Sequence, residues 1–258
     1  MIFQIIESSS SGNSSFLECD GVRILIDAGV GITKIRSYLS SRKLSVDDLD
    51  AVFISHEHID HFAALRSFCK YNVKIYANRA TAECIRYKHN DMKKLDWHLF
   101  ETGSEFDFYG IKVMPFSIPH DTSDPVGFCF LHDDKRLVYA TDMGKVTYSV
   151  RDFVSQADVL VLESNYCPRM LENSDRPYYL KARIKSPNGH LSNIDTIELL
   201  KSSVSSNVKK IFLAHISKQC NDLNHIVDLL ENSNLDNSIL QKIELVSPFA
   251  KPSSCFEF

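Results

Sequence analysis

The chain has 258 residues, of which 44% are hydrophobic and 24% are charged, the proportions of an ordinary globular protein. We expect a single domain spanning residues 1–258, because a chain of this length can bury one large core. The formal net charge of −4 excludes overall basicity as the source of any affinity for nucleic acid. No apolar run is long enough to cross a bilayer, so we expect no membrane partner.

Short runs rich in β-branched and aromatic residues predict eleven strands along the chain. Residues 1–6 fit a first strand rather than a signal peptide, because they lack a basic leader and a cleavage site. The predicted strands are Phe3–Ile6, Ser15–Cys19, Arg23–Asp27, Ala51–His56, Val73–Ala77, Lys112–Phe116, Val126–Leu131, Arg136–Asp142, Val159–Glu163, Lys210–His215 and Ile243–Val246.

Apolar residues at helical spacing predict helices at Ile32–Leu39 and Ile194–Val204, the second with Ser192 as its N-cap. Residues 132–135 lie between two predicted strands and predict a hairpin turn. Two sheets covered by helices on their outer faces would accommodate this order of elements. We therefore expect an α+β fold.

Seven cysteines are scattered along the chain without a C-x-x-C pair. Their odd number and spacing are typical of reduced thiols, most of which pack as small apolar side chains. The pattern predicts a cytoplasmic location. Four histidines in helix or turn contexts are expected to be ordinary surface or interface residues, namely His89, His98, His132 and His225.

The densest group of chemically active side chains is the sequence H-E-H-I-D-H at residues 56–61, at the end of a predicted strand. In extended backbone His56 and His58 point the same way, because side chains alternate, and they could bind one ion. Asp60 and His61 follow where the chain turns towards a helix and would face a second ion. Imidazole combined with carboxylate indicates a metal site with hydrolytic chemistry.

The H-E-H-I-D-H sequence resembles the signature of the metallo-β-lactamase superfamily, whose members add a lone His, a bridging Asp and a final His at strand ends. The counterparts in this chain are His120, Asp142 and His215, and the resemblance extends over nearly the whole sequence. It implies a four-layer αββα sandwich with the site along one edge.

The same resemblance implies two divalent metal ions, with zinc as the expected metal and manganese or iron as alternatives. His56, His58 and His120 would hold the first ion, Asp60, His61 and His215 the second, and Asp142 would bridge them. A hydroxide between the ions would be the nucleophile, and Asp60 would also orient it. Asp27 is expected to support a ligating imidazole from behind.

Four shorter segments, at residues 9–14, 120–128, 162–165 and 186–193, are similar to those of a short bacterial exonuclease-like branch of the superfamily. The similarity implies a phosphodiesterase that acts on nucleic acid, DNA rather than RNA, as a 5′-to-3′ exonuclease. Asp142 and His215 are too close in sequence for the extra domain that β-CASP nucleases insert between them.

Phosphodiester cleavage needs a proton for the leaving oxygen, and a positioned histidine is a common donor. His190 lies in a turn beside Gly189 and is our candidate, with Glu163 as its orienting partner. The alternative is that His190 only packs against the helix that follows.

Substrate phosphates have two candidate binding segments. The serine-rich loop with Asn13 could bind a phosphate, although a plain polar turn explains it better. Lys181, Arg183 and Lys185 could form a basic track, or simply a solvated helix face.

Two other classes of function stay open from the sequence. A thioester or small phosphodiester hydrolase could use the same metals, and a closed pocket would favour it, whereas an open groove beside the basic residues would favour nucleic acid. A non-catalytic interaction module is disfavoured because every ligand position is intact. The oligomeric state is also left open by the sequence.

Overall fold

The protein is described here by a computed structural model that covers residues 1–249 and 251–258. Within these residues the strands form two sheets of seven strands each. The first sheet has the order β14-β1-β2-β3-β4-β5-β6. Its strands are β1 (Ile2–Ser9), β2 (Gly12–Cys19), β3 (Val22–Ile26), β4 (Ala51–Phe53), β5 (Lys74–Asn78), β6 (Asp96–Phe100) and β14 (Phe256–Glu257).

The second sheet has the order β13-β12-β11-β10-β9-β8-β7. Its strands are β7 (Phe106–Phe108), β8 (Ile111–Ser117), β9 (Val126–His132), β10 (Lys135–Ala140), β11 (Val159–Glu163), β12 (Lys210–Ala214) and β13 (Ile243–Leu245). In both sheets one half is antiparallel and the other parallel: β3 to β6 run parallel to one another, as do β10 to β13.

Helices lie between the strands. They are α1 (Ile32–Ser41), α2 (Ile59–Phe62), α3 (Leu65–Phe68), α4 (Arg79–Lys88), α5 (Tyr148–Ser155), α6 (Pro168–Glu172), α7 (Tyr178–Lys185), α8 (Asn193–Ser203), α9 (Leu223–Glu231) and α10 (Asn237–Leu240), with 3₁₀ turns at Val46–Asp48 and Asn90–Lys94. Among the described residues, none of these helices has the length and apolar character needed to cross a membrane.

Alternating side chains place the apolar residues in three layers. In β11, Val159 and Val161 join the core between the two sheets, while Leu160 and Leu162 join the core under α5, α8 and α9. In β4, Phe53 faces the inner core and Val52 faces the core under α1 and α4. Helices therefore cover the outer face of each sheet, and the predicted αββα sandwich is confirmed.

Most predicted elements are present with shifted ends. The strand predicted at Ala51–His56 ends at Phe53, and the one predicted at Arg136–Asp142 ends at Ala140, because the chain leaves each ladder just before the candidate ligands. Ser192 is the N-cap of α8, its side chain accepting from Asp195 N. Lys135 pairs with His132 across the predicted hairpin turn.

Candidate metal centre

The candidate ligands lie where strands end at one edge of the two sheets. Asp27 follows β3, His215 follows β12, and Asp142 comes two residues after β10. Parallel strands bring their carboxyl ends to the same edge, which is the common location of sites in such sheets. The loop after β4 and the helix α2 supply the H-E-H-I-D-H residues.

Three of these residues have backbone conformations that side chains other than glycine seldom adopt. The φ angles are 60° for Asp27, 60° for Asp142 and 53° for His215. Each conformation costs free energy that the surrounding structure must compensate. Such positions are typical of functional sites, because the sharp turn directs the side chain away from the strand and into the cleft.

Glycine permits the close approach of segments on either side of the site. A Cβ on Gly29 would lie 1.5 Å from the carbonyl oxygen of Asp60, and one on Gly189 would lie 2.2 Å from that of Ile184. Larger residues at these positions would displace the backbone next to Asp60 and His190.

Three histidines come together on one side of the site, and we call them the three-histidine cluster: His56, His58 and His120. Their ligand atoms lie within 4.8 Å of one another, and the ring centroids of His58 and His120 are 4.9 Å apart. Burial lowers the pKa of all three imidazoles. They are therefore held in the neutral form that can ligate a metal.

A second group combines imidazoles with a carboxylate, and we call it the mixed cluster: Asp60, His61 and His215. Its ligand atoms also lie within 4.8 Å of one another. Burial disfavours the charged form of His61, yet the carboxylates of Asp27, Asp142 and Asp60 outweigh burial and raise its pKa to about 9. The pKa of His215 is raised for the same reason, through Asp142, Asp60 and Glu163.

Asp142 lies between the two clusters. Its Oδ1 is 3.9 Å from His120 Nε2 and 3.4 Å from His215 Nε2, and its Oδ2 is 3.4 Å from His61 Nε2. Burial alone would raise the pKa of this carboxyl, but the neighbouring His215 and His61 lower it. One carboxylate is thus within reach of the ligands on both sides.

The buried imidazoles bond to protein through Nδ1. His61 Nδ1 is 2.7 Å from Asp27 Oδ2, His120 Nδ1 is 3.0 Å from the carbonyl of Gly189, and His215 Nδ1 is 2.9 Å from Glu163 Oε1. Partners of this kind commonly orient metal-binding histidines. Asp27 contacts the side of His61 away from the cleft, and its role in supporting a metal ligand stays a prediction.

Several buried polar atoms in the site have no hydrogen-bond partner within the described part of the chain. They include His56 Nε2, His215 Nε2 and Asp142 Oδ2. Leaving such atoms unpaired is costly in a folded protein. Because they converge from three different segments, divalent cations would satisfy all of them, and the donor set of imidazole and carboxylate suits such ions. The residues therefore fit a metal centre.

Glu163 joins the predicted proton donor to the metal site. It is completely buried, and its Oε1 lies 2.7 Å from His190 Nδ1 and 2.9 Å from His215 Nδ1. Its Oε2 accepts from the backbone N–H groups of Met143 and Leu191. His190 remains 18% exposed, so it faces both the ligands and the outside.

The predicted substrate contacts have other partners in the structure. Asn13 is buried, and its Nδ2 lies 3.3 Å from Asp60 Oδ2. Arg183 forms an ion pair with Asp121, Lys185 forms one with Glu172, and Lys181 donates to the carbonyl of Glu172. Their contacts with a substrate stay predictions.

Sequence reasoning missed three polar residues that build the site. Ser55 Oγ contacts Asp27, His56 and His61. Asn165 Nδ2 donates to the carbonyl of His215 at 2.7 Å, and Asn221 Nδ2 donates to the carbonyls of Ser164 and Asn165. Ser55 directly precedes His56 and Asn165 lies two residues after Glu163 in sequence, which was the available signal.

The fold and site together define a metallo-β-lactamase-type scaffold, and comparison with known proteins agrees. The model of the β-lactamase superfamily domain matches residues 22–216. The structure of YhfI, a metallo-β-lactamase fold protein from Bacillus subtilis, superposes with a TM-score of 0.75 over 99% of both chains at 15% identity. Zinc-bound PqqB from Methylobacterium extorquens gives a TM-score of 0.74 over all of both chains at 14% identity.

Two relatives by sequence show which members of this superfamily the chain resembles. The exodeoxyribonuclease WalJ of Streptococcus pneumoniae strain D39 is 35% identical over 95% of this chain and 94% of its own. The exodeoxyribonuclease YycJ of Bacillus anthracis is 28% identical over 83% of this chain and 82% of its own. The chain belongs to the β-lactamase superfamily and shares nearly its full length with these relatives.

Proposed function

We propose that this protein is a metal-dependent DNA exonuclease that digests strands in the 5′-to-3′ direction. The observation that carries the proposal is the pair of ligand clusters joined by Asp142, with unpaired buried nitrogens aimed between them. Similarity to proteins named exodeoxyribonuclease over nearly the whole chain supports DNA as the substrate.

In this proposal the three-histidine cluster would hold one divalent ion and the mixed cluster a second, with Asp142 contacting both. Two ions at such a site would acidify water and neutralise charge on a phosphodiester. Zinc is our assignment, and manganese and iron are the alternatives to be tested, since the same ligand types bind all three.

The protein side chains would move the proton and orient the reactants. Hydrolysis joins a water oxygen to phosphorus and breaks the bond from phosphorus to the leaving O3′ atom, which needs a proton. His190 would donate that proton from Nε2, because Glu163 holds its Nδ1. Asp60 would accept a hydrogen bond from the attacking water.

A cytoplasmic location is part of the proposal. It is supported by the seven cysteines, all of which are unpaired in the structure, as expected in a reducing compartment.

The direct test uses purified protein and end-labelled DNA, single- and double-stranded, with zinc, manganese or iron added to metal-free protein. We expect mononucleotides to be released from the 5′ end, and RNA of the same sequence to be cut more slowly. Hydrolysis of a small thioester or diester, without cleavage of DNA by any metal form, would replace this proposal with the small-molecule hydrolase.

A further inference from the structure

A further group of metal-binding side chains lies away from the candidate metal centre, at the other end of the strands. It contains Cys19, Asp20 and His132, and we call it the hairpin cluster. Each residue offers one sulfur, oxygen or nitrogen atom, and these three atoms lie within 4.8 Å of one another. The donors of the three-histidine cluster and the mixed cluster meet the same limit.

Two hairpins from different sheets meet at the hairpin cluster. Cys19 ends β2, and Asp20 follows it in the turn to β3, within the first sheet. His132 ends β9, just before the turn to β10 in the second sheet. The strands β3 and β10 then run from these turns towards the candidate metal centre. An ion bound by all three residues would therefore connect the two sheets at the opposite edge.

The imidazole of His132 is oriented for such an ion. Its Nδ1 lies 3.1 Å from the carbonyl oxygen of Gly110, which can only accept a hydrogen bond, so Nδ1 carries a proton. The other nitrogen, Nε2, faces the cluster and lies 2.9 Å from Asp20 Oδ2. His120 has the same kind of partner in the three-histidine cluster, a backbone carbonyl at Nδ1. Partners of this kind commonly orient metal-binding histidines.

Cys19 supplies a sulfur atom that has no other polar partner. The residue is 2% exposed, and within the part of the chain that the structure describes its thiol is in no disulfide and makes no hydrogen bond. Thiolate, imidazole and carboxylate are the ligands that zinc takes in proteins. Neither of the other two clusters contains a cysteine, so the hairpin cluster has the softer set of donors.

We propose that the hairpin cluster is a separate metal site, which binds zinc or a similar divalent cation and holds the two sheets together. Cys19, Asp20 and His132 would supply three ligands, and a water molecule the fourth position of a tetrahedral site. As the ion enters, Cys19 releases its thiol proton to solvent and the sulfur binds the metal. The site is independent of the proposed cleavage of DNA.

The ion of the hairpin cluster should be bound less tightly than those of the candidate metal centre. Burial raises the pKa of the Cys19 thiol to about 11, so the metal must displace a firmly bound proton. The side chain of Asp20 is also 82% exposed. We therefore expect this ion to be lost when excess metal is removed, in addition to the two that the candidate metal centre retains.

The test uses cobalt as the probe, because a bond between cobalt and a thiolate gives a charge-transfer band in the near ultraviolet. The ligands of the candidate metal centre are histidine and aspartate, so an ion there gives no such band. Protein loaded with zinc and freed of excess metal is titrated with cobalt. The variants are Cys19→Ser and His132→Gln, and the control Cys255→Ser removes an exposed thiol outside the cluster.

We expect the unmodified protein and Cys255→Ser to develop the band with one cobalt ion per chain, and added zinc to remove it. Cys19→Ser should lose the band. His132→Gln should bind cobalt about 10-fold more weakly or worse, because loss of a ligand costs at least as much as loss of its supporting partner. Zinc should also slow amide hydrogen exchange at both hairpin turns in the unmodified protein, and not in His132→Gln.

Absence of the band at every cobalt concentration would overturn the proposal and leave Asp20 and His132 as an ordinary surface ion pair. A band that survives in Cys19→Ser, or an unchanged cobalt affinity in His132→Gln, would overturn it as well. His132 is partly exposed, so His132→Gln decides the matter even if Cys19→Ser fails to fold. Amide exchange that zinc does not change at either turn would contradict the connection between the sheets.

Discussion

The three-histidine cluster and the mixed cluster share Asp142 but are stabilised by different chemistry. In the first, burial lowers the pKa of each imidazole. In the second, carboxylates raise the pKa of His61 and His215 although both are buried. Without metal, the neutral imidazole is therefore favoured in the three-histidine cluster, and the protonated imidazole is favoured at His61 and His215.

The two clusters also differ in the residues that orient their histidines. His61 and His215 are held from behind by Asp27 and Glu163, both fully buried, so their orientation and local negative charge exist before an ion arrives. The Nδ1 atom of His120 contacts a backbone carbonyl, not a carboxylate. We expect the mixed cluster to bind its ion more tightly, because buried carboxylates strengthen the adjoining ligands.

The largest effect should come from the residue that both clusters share. We expect Asp142→Ala to lower DNA cleavage by about 10⁴-fold or more, because groups that act as one catalytic unit fail together. Alanine is also strained at a φ of 60°, so Asp142→Asn is the companion variant and should lose activity as well. Steady-state cleavage of labelled DNA measures both.

The control for backbone strain is Asp133→Ala, since Asp133 has a φ of 50° and lies outside the site at the other end of β10. It should keep full activity. Activity of Asp142→Asn close to that of the unmodified protein would show that Asp142 does not link the two clusters.

His190 lies next to both clusters, and Glu163 connects it by hydrogen bonds to His215 of the mixed cluster. We expect His190→Ala to lower turnover on DNA by about 10²–10⁴-fold, the usual value of a positioned proton donor. A nitrophenyl phosphodiester should be much less affected, since its leaving group needs no proton. The metal content of His190→Ala should stay unchanged. The control is His225→Ala: His225 contacts Cys167, and this variant should behave as the unmodified protein. Equal losses on both substrates would assign His190 a structural role instead.

A smaller effect, on metal affinity, should distinguish the mixed cluster from the three-histidine cluster. Asp27→Asn keeps the size of the side chain but removes the charge behind His61, and we expect metal affinity of the mixed cluster to fall about 10–100-fold. Affinity of the three-histidine cluster should change little. Titration of metal-free protein, followed by calorimetry, resolves the two steps.

Asp96→Asn is the matched control, because Asp96 is a surface carboxylate 3.1 Å from His98. It should leave both binding steps unchanged. Equal weakening of both binding steps by Asp27→Asn would contradict the expectation that Asp27 affects the metal affinity of the mixed cluster alone.

The sequence pointed to the residues that come together at the site and to two residues behind them, Asp27 and Glu163, but not to the other supporting contacts. Ligands such as His56 and Asp142 follow apolar runs, and strands that end at one edge bring such residues together. The supports depend on pairs distant in sequence. Arg183 meets Asp121, and Asn221 meets Asn165, contacts that no local pattern encodes.

The fold was likewise predictable where the strands are long and apolar. The strands β6, β7 and β14 were missed. β7 and β14 have three and two residues, too few to show a period, and β14 forms through pairing with β1 at the opposite end of the chain. In β6, Asp96 and His98 alternate with Trp97 and Leu99, a two-residue period that does favour a strand, so this strand was within reach of the sequence and was overlooked.

The central claim is that the two clusters hold two ions, and metal counting tests it most directly. Metal-free protein is titrated with zinc and then with manganese, and the bound metal is measured by elemental analysis after removal of the excess. The account predicts close to two ions per chain, with the tighter one weakened by Asp27→Asn and the other unaffected. A single bound ion, with no second step at any metal concentration tested, would contradict it.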